Sequence, residues 1–243
     1  MTYKLDSQYA GYQPLASLSS TEQLRGGFIA RMEDPVYGGG EAIYARAGAA
    51  IRNLGLCVFT PVWDATNFRY TWNASEVPNT ALLGRPVGVA MGGAMTTGQF
   101  GWFLISGTIQ VNGTASVAAD TAFGITAAGQ IGAITAGKQV VSARVLTPAT
   151  NTVVKAATGV SGDNIIKITG GNADGFFIGG VLTGTGVGAS AVVTGIDPLN
   201  SQLTVSVVNS ATVTGNLTQT ANDATIFYNV ANFNRSFAQG QIT

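Results

Sequence analysis

The chain has 243 residues, with 12 Lys and Arg against 12 Asp and Glu, 33 glycines, one cysteine and no histidine. Only 10% of residues are charged and 46% are hydrophobic, which favours a folded, core-forming chain over a disordered one. Without histidine there is no Ser-His-Asp triad, no Cys-His dyad and no His-ligated metal site, and without a basic stripe nucleic acid is not an expected partner.

Residues 1–25 scatter Tyr3, Tyr9, Tyr12, Leu15 and Leu18 among polar residues with no strand alternation. They read as an extended arm whose apolar side chains dock on their own domain or on a neighbour. Ser19 and Glu22 have capping-box spacing, which predicts one helical turn before Gly26-Gly27. The segment MTYKLDSQYAGYQ has neither the basic start nor the apolar centre of a signal peptide. The expectation is therefore a chain made in the cytoplasm. No membrane partner is expected either, because the most apolar stretch, Pro86 to Gly107, is broken by threonines, Gln99 and glycines.

From residue 26 to about 150, runs of apolar, β-branched and aromatic residues alternate with turn signals. GGFIARME, EAIYARA, LCVFTPVW, FRYTW, RPVGVAM, GWFLISGTIQV and KQVVSARVL all read as strands. Asn112-Gly113 carries the signature of a two-residue hairpin turn. Cys57, inside Leu56-Cys57-Val58-Phe59, reads as a buried structural thiol. Residues 151–222 are richer in Thr, Val, Gly, Asn and Ala, with NIIKIT, GGVLTGT, AVVTGID and QLTVSVV as strand candidates. In the last of these, Leu203, Val205 and Val207 are expected on one face, and Asp197-Pro198-Leu199-Asn200 is expected to turn. Aromatic character returns at ATIFYNVANFNRSF. The fold class expected is all-β: a β-sandwich or barrel core over 26–150 completed by 223–243, an N-terminal arm over 1–25, and a small inserted β-module over 151–222.

Chemistry-bearing motifs are sparse, and no catalytic residue, cofactor or metal site is assigned. Gly132 to Gln139 resembles a phosphate-binding loop, but Gln139 follows Lys138 where Ser or Thr is needed, and a strand follows where a helix is needed. The glycines of Gly184 to Gly188 lack a strand–helix context and read as a turn. Glu33-Asp34 and Asp163 with Asp174 are the closest carboxylate groupings, and Asp34-Pro35 and Asp163-Asn164 read as turn initiators. Trp63, Phe68, Tyr70, Trp72, Trp102 and Phe103 suit a core or an oligomer interface, or alternatively a sugar-binding face.

Several segments carry a family resemblance. Asp34-Pro35-Val36-Tyr37-Gly38-Gly39-Gly40-Glu41-Ala42-Ile43-Tyr44 resembles a turn and strand found in capsid decoration, or cement, proteins of tailed bacteriophages. Arg85-Pro86-Val87-Gly88-Val89-Ala90, followed by Gln99-Phe100-Gly101-Trp102-Phe103-Leu104-Ile105-Ser106-Gly107, resembles a paired motif of the same family. So do the stretch from Ala119-Asp120-Thr121-Ala122-Phe123 to Arg144 and the ending Asn232-Phe233-Asn234-Arg235-Ser236-Phe237. The resemblance covers roughly 26–150 and 224–237, while the arm and the 151–222 module depart from it. It implies a β-rich, non-enzymatic protein on the outside of an icosahedral shell, often a trimer. Its partners would be the major capsid protein and other copies of itself, and its location the outer capsid surface of the virion. The interface residues expected are Tyr3, Tyr9, Tyr12, Leu15, Leu18, Trp63, Trp72 and Trp102. The alternative function is a head-fibre or tail-associated protein that binds host glycans.

Overall fold

Strands account for all the regular structure of the described residues. The computed structural model describes residues 4–5, 15, 17–34, 37–149, 152–173, 175–197, 200–220 and 227–239. The first strands are β1 (Lys4–Leu5), β2 (Ile29–Asp34), β3 (Gly38–Ala47), β4 (Leu56–Asp64), β5 (Arg69–Glu76), β6 (Val87–Ala90) and β7 (Phe100–Gly113). Next come β8 (Gly124–Ala127), β9 (Gln130–Gly132), β10 (Val140–Thr147), β11 (Thr152–Gly159), β12 (Ile165–Ile168) and β13 (Val181–Thr185). The last are β14 (Val193–Asp197), β15 (Gln202–Val205), β16 (Thr214–Thr220) and β17 (Phe227–Ala238). The all-β expectation holds. The described residues fall into two units: β1 to β10 with β17, and β11 to β16.

In the larger unit the pairings run round a ring. β3 pairs with β7, β7 with β6, β6 with β4, β4 with β5, and β5 returns to β3 through Arg46–Asn73 and Ala47–Ala74. The inside is apolar: Ile43, Ala45, Ala47, Cys57, Phe59, Ala74, Ala90 and Phe103 form one cluster with Ile51 and Met95. The small residues at the strand crossings leave room for Phe59 and Phe103, which meet edge to face at 5.6 Å. Gly88 is confined in the same way, since a Cβ there would lie 2.7 Å from the Leu104 carbonyl and 2.9 Å from the Phe59 ring.

The outer faces of β3, β6 and β7 are covered too, which is why these strands read as continuous apolar runs rather than as strict alternations. Trp102 is fully buried, edge-on to Tyr44 at 5.3 Å and to Phe28 at 6.2 Å. Beyond the ring, β17 pairs with β7 and with β10, and Phe233 meets Phe123 at 5.8 Å. Cys57 is fully buried, as its apolar run predicts, and burial followed by the nearby Glu76 carboxylate raises its thiol pKa.

Three local expectations are corrected. Ser19 and Glu22 cap no helical turn: Ser19 bridges Phe100 through its backbone, and its hydroxyl accepts from the Thr21 N–H at 3.1 Å. Glu22 instead accepts from the Gly26 N–H and pairs with Arg69. Asn112-Gly113 is not a hairpin turn but the end of β7, where Asn112 lies opposite Tyr228. Its amide is buried and accepts from the Gln130 Nε2 at 2.8 Å, so tertiary pairing overrides the local turn preference. Val207, expected beside Leu203 and Val205, is 40% exposed while those two are buried. β15 ends at Val205, and the Ser206 hydroxyl accepts from the Val192 N–H at 3.0 Å, which turns the chain out of the strand.

The smaller unit orders its strands β13-β16-β11-β12-β15-β14, and an isolated bridge between Val181 and Val192 joins the two outer strands. One core fills it, with Ile166, Ile168, Phe176, Leu182, Leu203, Val205 and Leu217 among its members. The Gln219 amide is fully buried and holds the loop before β13, accepting from the Phe177 N–H at 3.0 Å and donating to the Phe177 carbonyl at 2.7 Å.

In the larger unit, Asn229 on β17 performs a similar service. Its Oδ1 accepts from the Val117 N–H at 2.9 Å and the Ala149 N–H at 3.2 Å, and its Nδ2 donates to the Ala115 carbonyl at 3.1 Å. It fastens the loop after β7 and the stretch after β10 at once. Asn229→Ala leaves two buried N–H donors unsatisfied, and we predict a loss of about 2–4 kcal/mol in unfolding free energy. Denaturant unfolding with an unchanged slope would check this.

Candidate functional site

The β4–β5 hairpin organises the exposed chemistry of the larger unit. Cross-strand partners share a face, so Phe59–Ala74, Pro61–Trp72 and Trp63–Tyr70 line one side, and Thr60–Asn73, Val62–Thr71 and Asp64–Arg69 line the other. The first side continues the ring interior outward. Phe59 and Ala74 are core residues and Trp72 packs against them. Trp63 and Tyr70 stand in the open, 52% and 59% exposed, in edge-to-face contact at 5.2 Å.

Where the ring interior opens, an apolar hollow of about 260 Å³ is lined by Ile29, Ile43, Phe59, Trp72, Val87 and Ile105 among others. Ile29 is 45% exposed there. Gly27 lies directly on the Trp72 indole: it has φ +91°, and a Cβ would fall 2.3 Å from the ring. At the edge of the hollow Arg235 makes a bidentate pair with Glu41, at 2.9 and 3.0 Å. This hydrogen bond holds the Glu41 carboxyl below its ordinary value. The pair joins two segments far apart in sequence, the Glu41-Ala42-Ile43-Tyr44 strand and the Asn234-Arg235-Ser236 ending.

Beside the hairpin a more polar cleft of about 440 Å³ is bounded by Glu22, Arg46, Asp64, Thr71, Asn73 and Phe100 among others; Trp63 borders it too, although the register sets it with Tyr70 on the hollow's side. Arg46 and Asn73 are register partners. The hairpin tip is held by Asp64, whose carboxylate accepts from the Thr66 N–H at 3.0 Å, the Asn67 N–H at 3.2 Å and the Asn67 Nδ2 at 2.7 Å.

The expected interface residues are thus distributed unevenly. Trp63 is exposed beside the cleft and Trp72 forms part of the apolar hollow. Trp102 is not at a surface; it is an interior side chain on the covered outer face of β3 and β7, packed on Tyr44 and Phe28. Leu15 is 1% exposed, and Leu18 packs on the ring core, so the described part of the arm is docked on its own unit. Tyr3, Tyr9 and Tyr12 lie outside the described residues. Sequence reading missed Arg46, Asn73 and Ile29, because nothing local distinguishes them from ordinary strand residues.

The carboxylates considered for catalysis serve turns. The Asp34 Oδ1 accepts from the Tyr37 N–H at 2.8 Å, and the Asp163 Oδ1 from the Ile165 N–H at 3.2 Å. Asp174 lies outside the described residues. Gly132 to Gln139 ends in a turn closed by the Lys138 N–H and Thr135 carbonyl at 3.1 Å, and Gly186 at φ +83° lies in the turn after β13. Neither has the helix a phosphate site needs. No family model, curated protein or solved structure matches the chain.

The Asn67 side chain, then the backbone N–H groups of Asn67 and Thr66, hold Asp64 below its ordinary value of 3.8. A depressed carboxylate stabilises its turn above the unfolded value and loses that effect as pH falls through the folded one. We therefore predict that the hairpin tip keeps its amide NMR shifts from neutral pH down to about pH 4 and that Asp64 titrates below its ordinary value. Titration at or above that value would contradict the hydrogen-bonded tip.

Proposed function

We propose that this chain is a structural virion protein that binds the outer surface of an icosahedral phage capsid and cements it, acting as a homotrimer with the major capsid protein as its partner. The observation that carries this reading is the way the segments bearing the family resemblance pair with one another. Glu41 to Tyr44 on β3 lies against Trp102 to Ser106 on β7. Val89 and Ala90 on β6 lie against Leu104 and Phe103 on the same β7. Asn232 to Asn234 on β17 lies against Ser106 to Thr108, and Arg235 reaches Glu41. Motifs scattered over some 200 positions of sequence therefore form one structural unit.

The physical character of that unit agrees with cementing. It presents an apolar hollow with Ile29 exposed beside it, suited to burying an apolar projection of a shell protein. The chain carries few charges and no net charge, so attachment would depend on apolar area more than on ion pairs and would tolerate salt. Three such contacts in one trimer reinforce one another, because later contacts form intramolecularly.

The test is a heat challenge of particles that lack this chain, with purified chain added back. The wild-type chain is expected to bind and raise the temperature at which the genome is released. Ile29→Asp, folded by circular dichroism, is expected to bind at least about tenfold more weakly because it buries a charge in the hollow. Particles equally heat-resistant with and without the chain would overturn cementing.

A further inference from the structure

The apolar surface at the mouth of the ring does not end at the hollow. Along one side of the β4–β5 hairpin the cross-strand pairs Phe59–Ala74, Pro61–Trp72 and Trp63–Tyr70 follow one another outward. Phe59 and Trp72 line the hollow, Pro61 is exposed, and Trp63 and Tyr70 stand open at the outer end. Side chains on one side of a strand recur every two residues, about 6.7 Å, so Phe59 and Trp63 are about 13 Å apart along β4. No side chain in this row is charged; the hairpin's Asp64 and Arg69 lie on the other side. At the rim of the hollow Arg235 and Glu41 are paired with each other.

Large aromatic rings left in water beside an apolar hollow make a continuous patch of the kind that marks a binding surface. The row is one hairpin wide, with its two strands about 4.8 Å apart, narrower than the roughly 10–12 Å of a helix with its side chains. An extended segment matches it. Alternate side chains of such a segment share one face at the same spacing, so a residue seated in the hollow places the residue four positions away over Trp63 and Tyr70. A charged side chain on that face would meet no opposite charge along the row. We infer that the shell protein presents to this site an extended, uncharged segment with apolar residues four positions apart, one in the hollow and one on the Trp63–Tyr70 pair. The inference rests on the attachment reading and names the chemistry of the partner at that same site.

The experiment adds purified full-length chain to particles that lack it and measures binding by co-sedimentation. Trp63→Ala and Tyr70→Ala change exposed side chains, and circular dichroism checks that both fold. Phe68→Ala is the control: Phe68 is 81% exposed in the hairpin turn and belongs to none of the row's pairs. A second arm photo-activates benzoylphenylalanine in place of Tyr70 on the particle and sequences the linked peptide by mass spectrometry. The expected result is binding weakened about tenfold by Trp63→Ala and by Tyr70→Ala and unchanged by Phe68→Ala. The cross-link is expected on a shell-protein segment free of charged residues, with apolar residues four positions apart. A wild-type chain that does not bind particles would overturn the attachment reading and this inference together. Binding that Ile29→Asp weakens but Trp63→Ala and Tyr70→Ala leave unchanged would overturn the inference alone, as would a cross-link to a second copy of this chain or to a charged segment.

Discussion

Strand β7 is the element on which the larger unit depends. It is 14 residues long, and β3, β6, β9 and β17 all hydrogen-bond to it. Both of its faces are covered along Gly101 to Leu104, and all four residues are buried. Phe103 enters the ring core while Trp102 fills the opposite side. The ring closes because β3 pairs with β7 along one edge, Glu41 to Arg46, and with β5 along the other at Arg46 and Ala47, where Ala47 faces Ala74. Deleting a large side chain such as Trp102 from this position would cost several kcal/mol.

The consequence for function is a hairpin with two different sides. β4 and β5 belong to the ring at their inner ends and project from it at their outer ends. Alternation along the same residues puts Trp63, Tyr70 and Trp72 on the side of the apolar hollow and Thr60, Asn73, Thr71, Asp64 and Arg69 on the other, more polar side.

The sequence made the strands of the larger unit legible because their apolar runs are long and bounded by glycine and proline. EAIYARA, LCVFTPVW and GWFLISGTIQV all fall within strands. It was less informative in the smaller unit. β11 is Thr- and Ala-rich, and β16, Thr214–Thr220, holds a single large apolar residue, Leu217. Their strand character comes from pairing with each other, which no local pattern announces. Asn112-Gly113 misled for the converse reason, a strong turn signal overruled by a buried amide with its own partner. The aromatic residues were recognisable as a set, but only the register separates the interior Trp102 from the exposed Trp63. Arg46 and Asn73 become a pair only through a parallel contact of two residues on each strand.

A chain that covers a shell, as proposed, is abundant in the particle, and that abundance is the most direct test. Quantitative mass spectrometry of purified particles gives the molar ratio of this chain to the major capsid protein. A coat-forming subunit predicts a ratio of the same order as the shell protein itself. A few copies per particle would contradict the cementing account and place the chain at a vertex, fibre or tail.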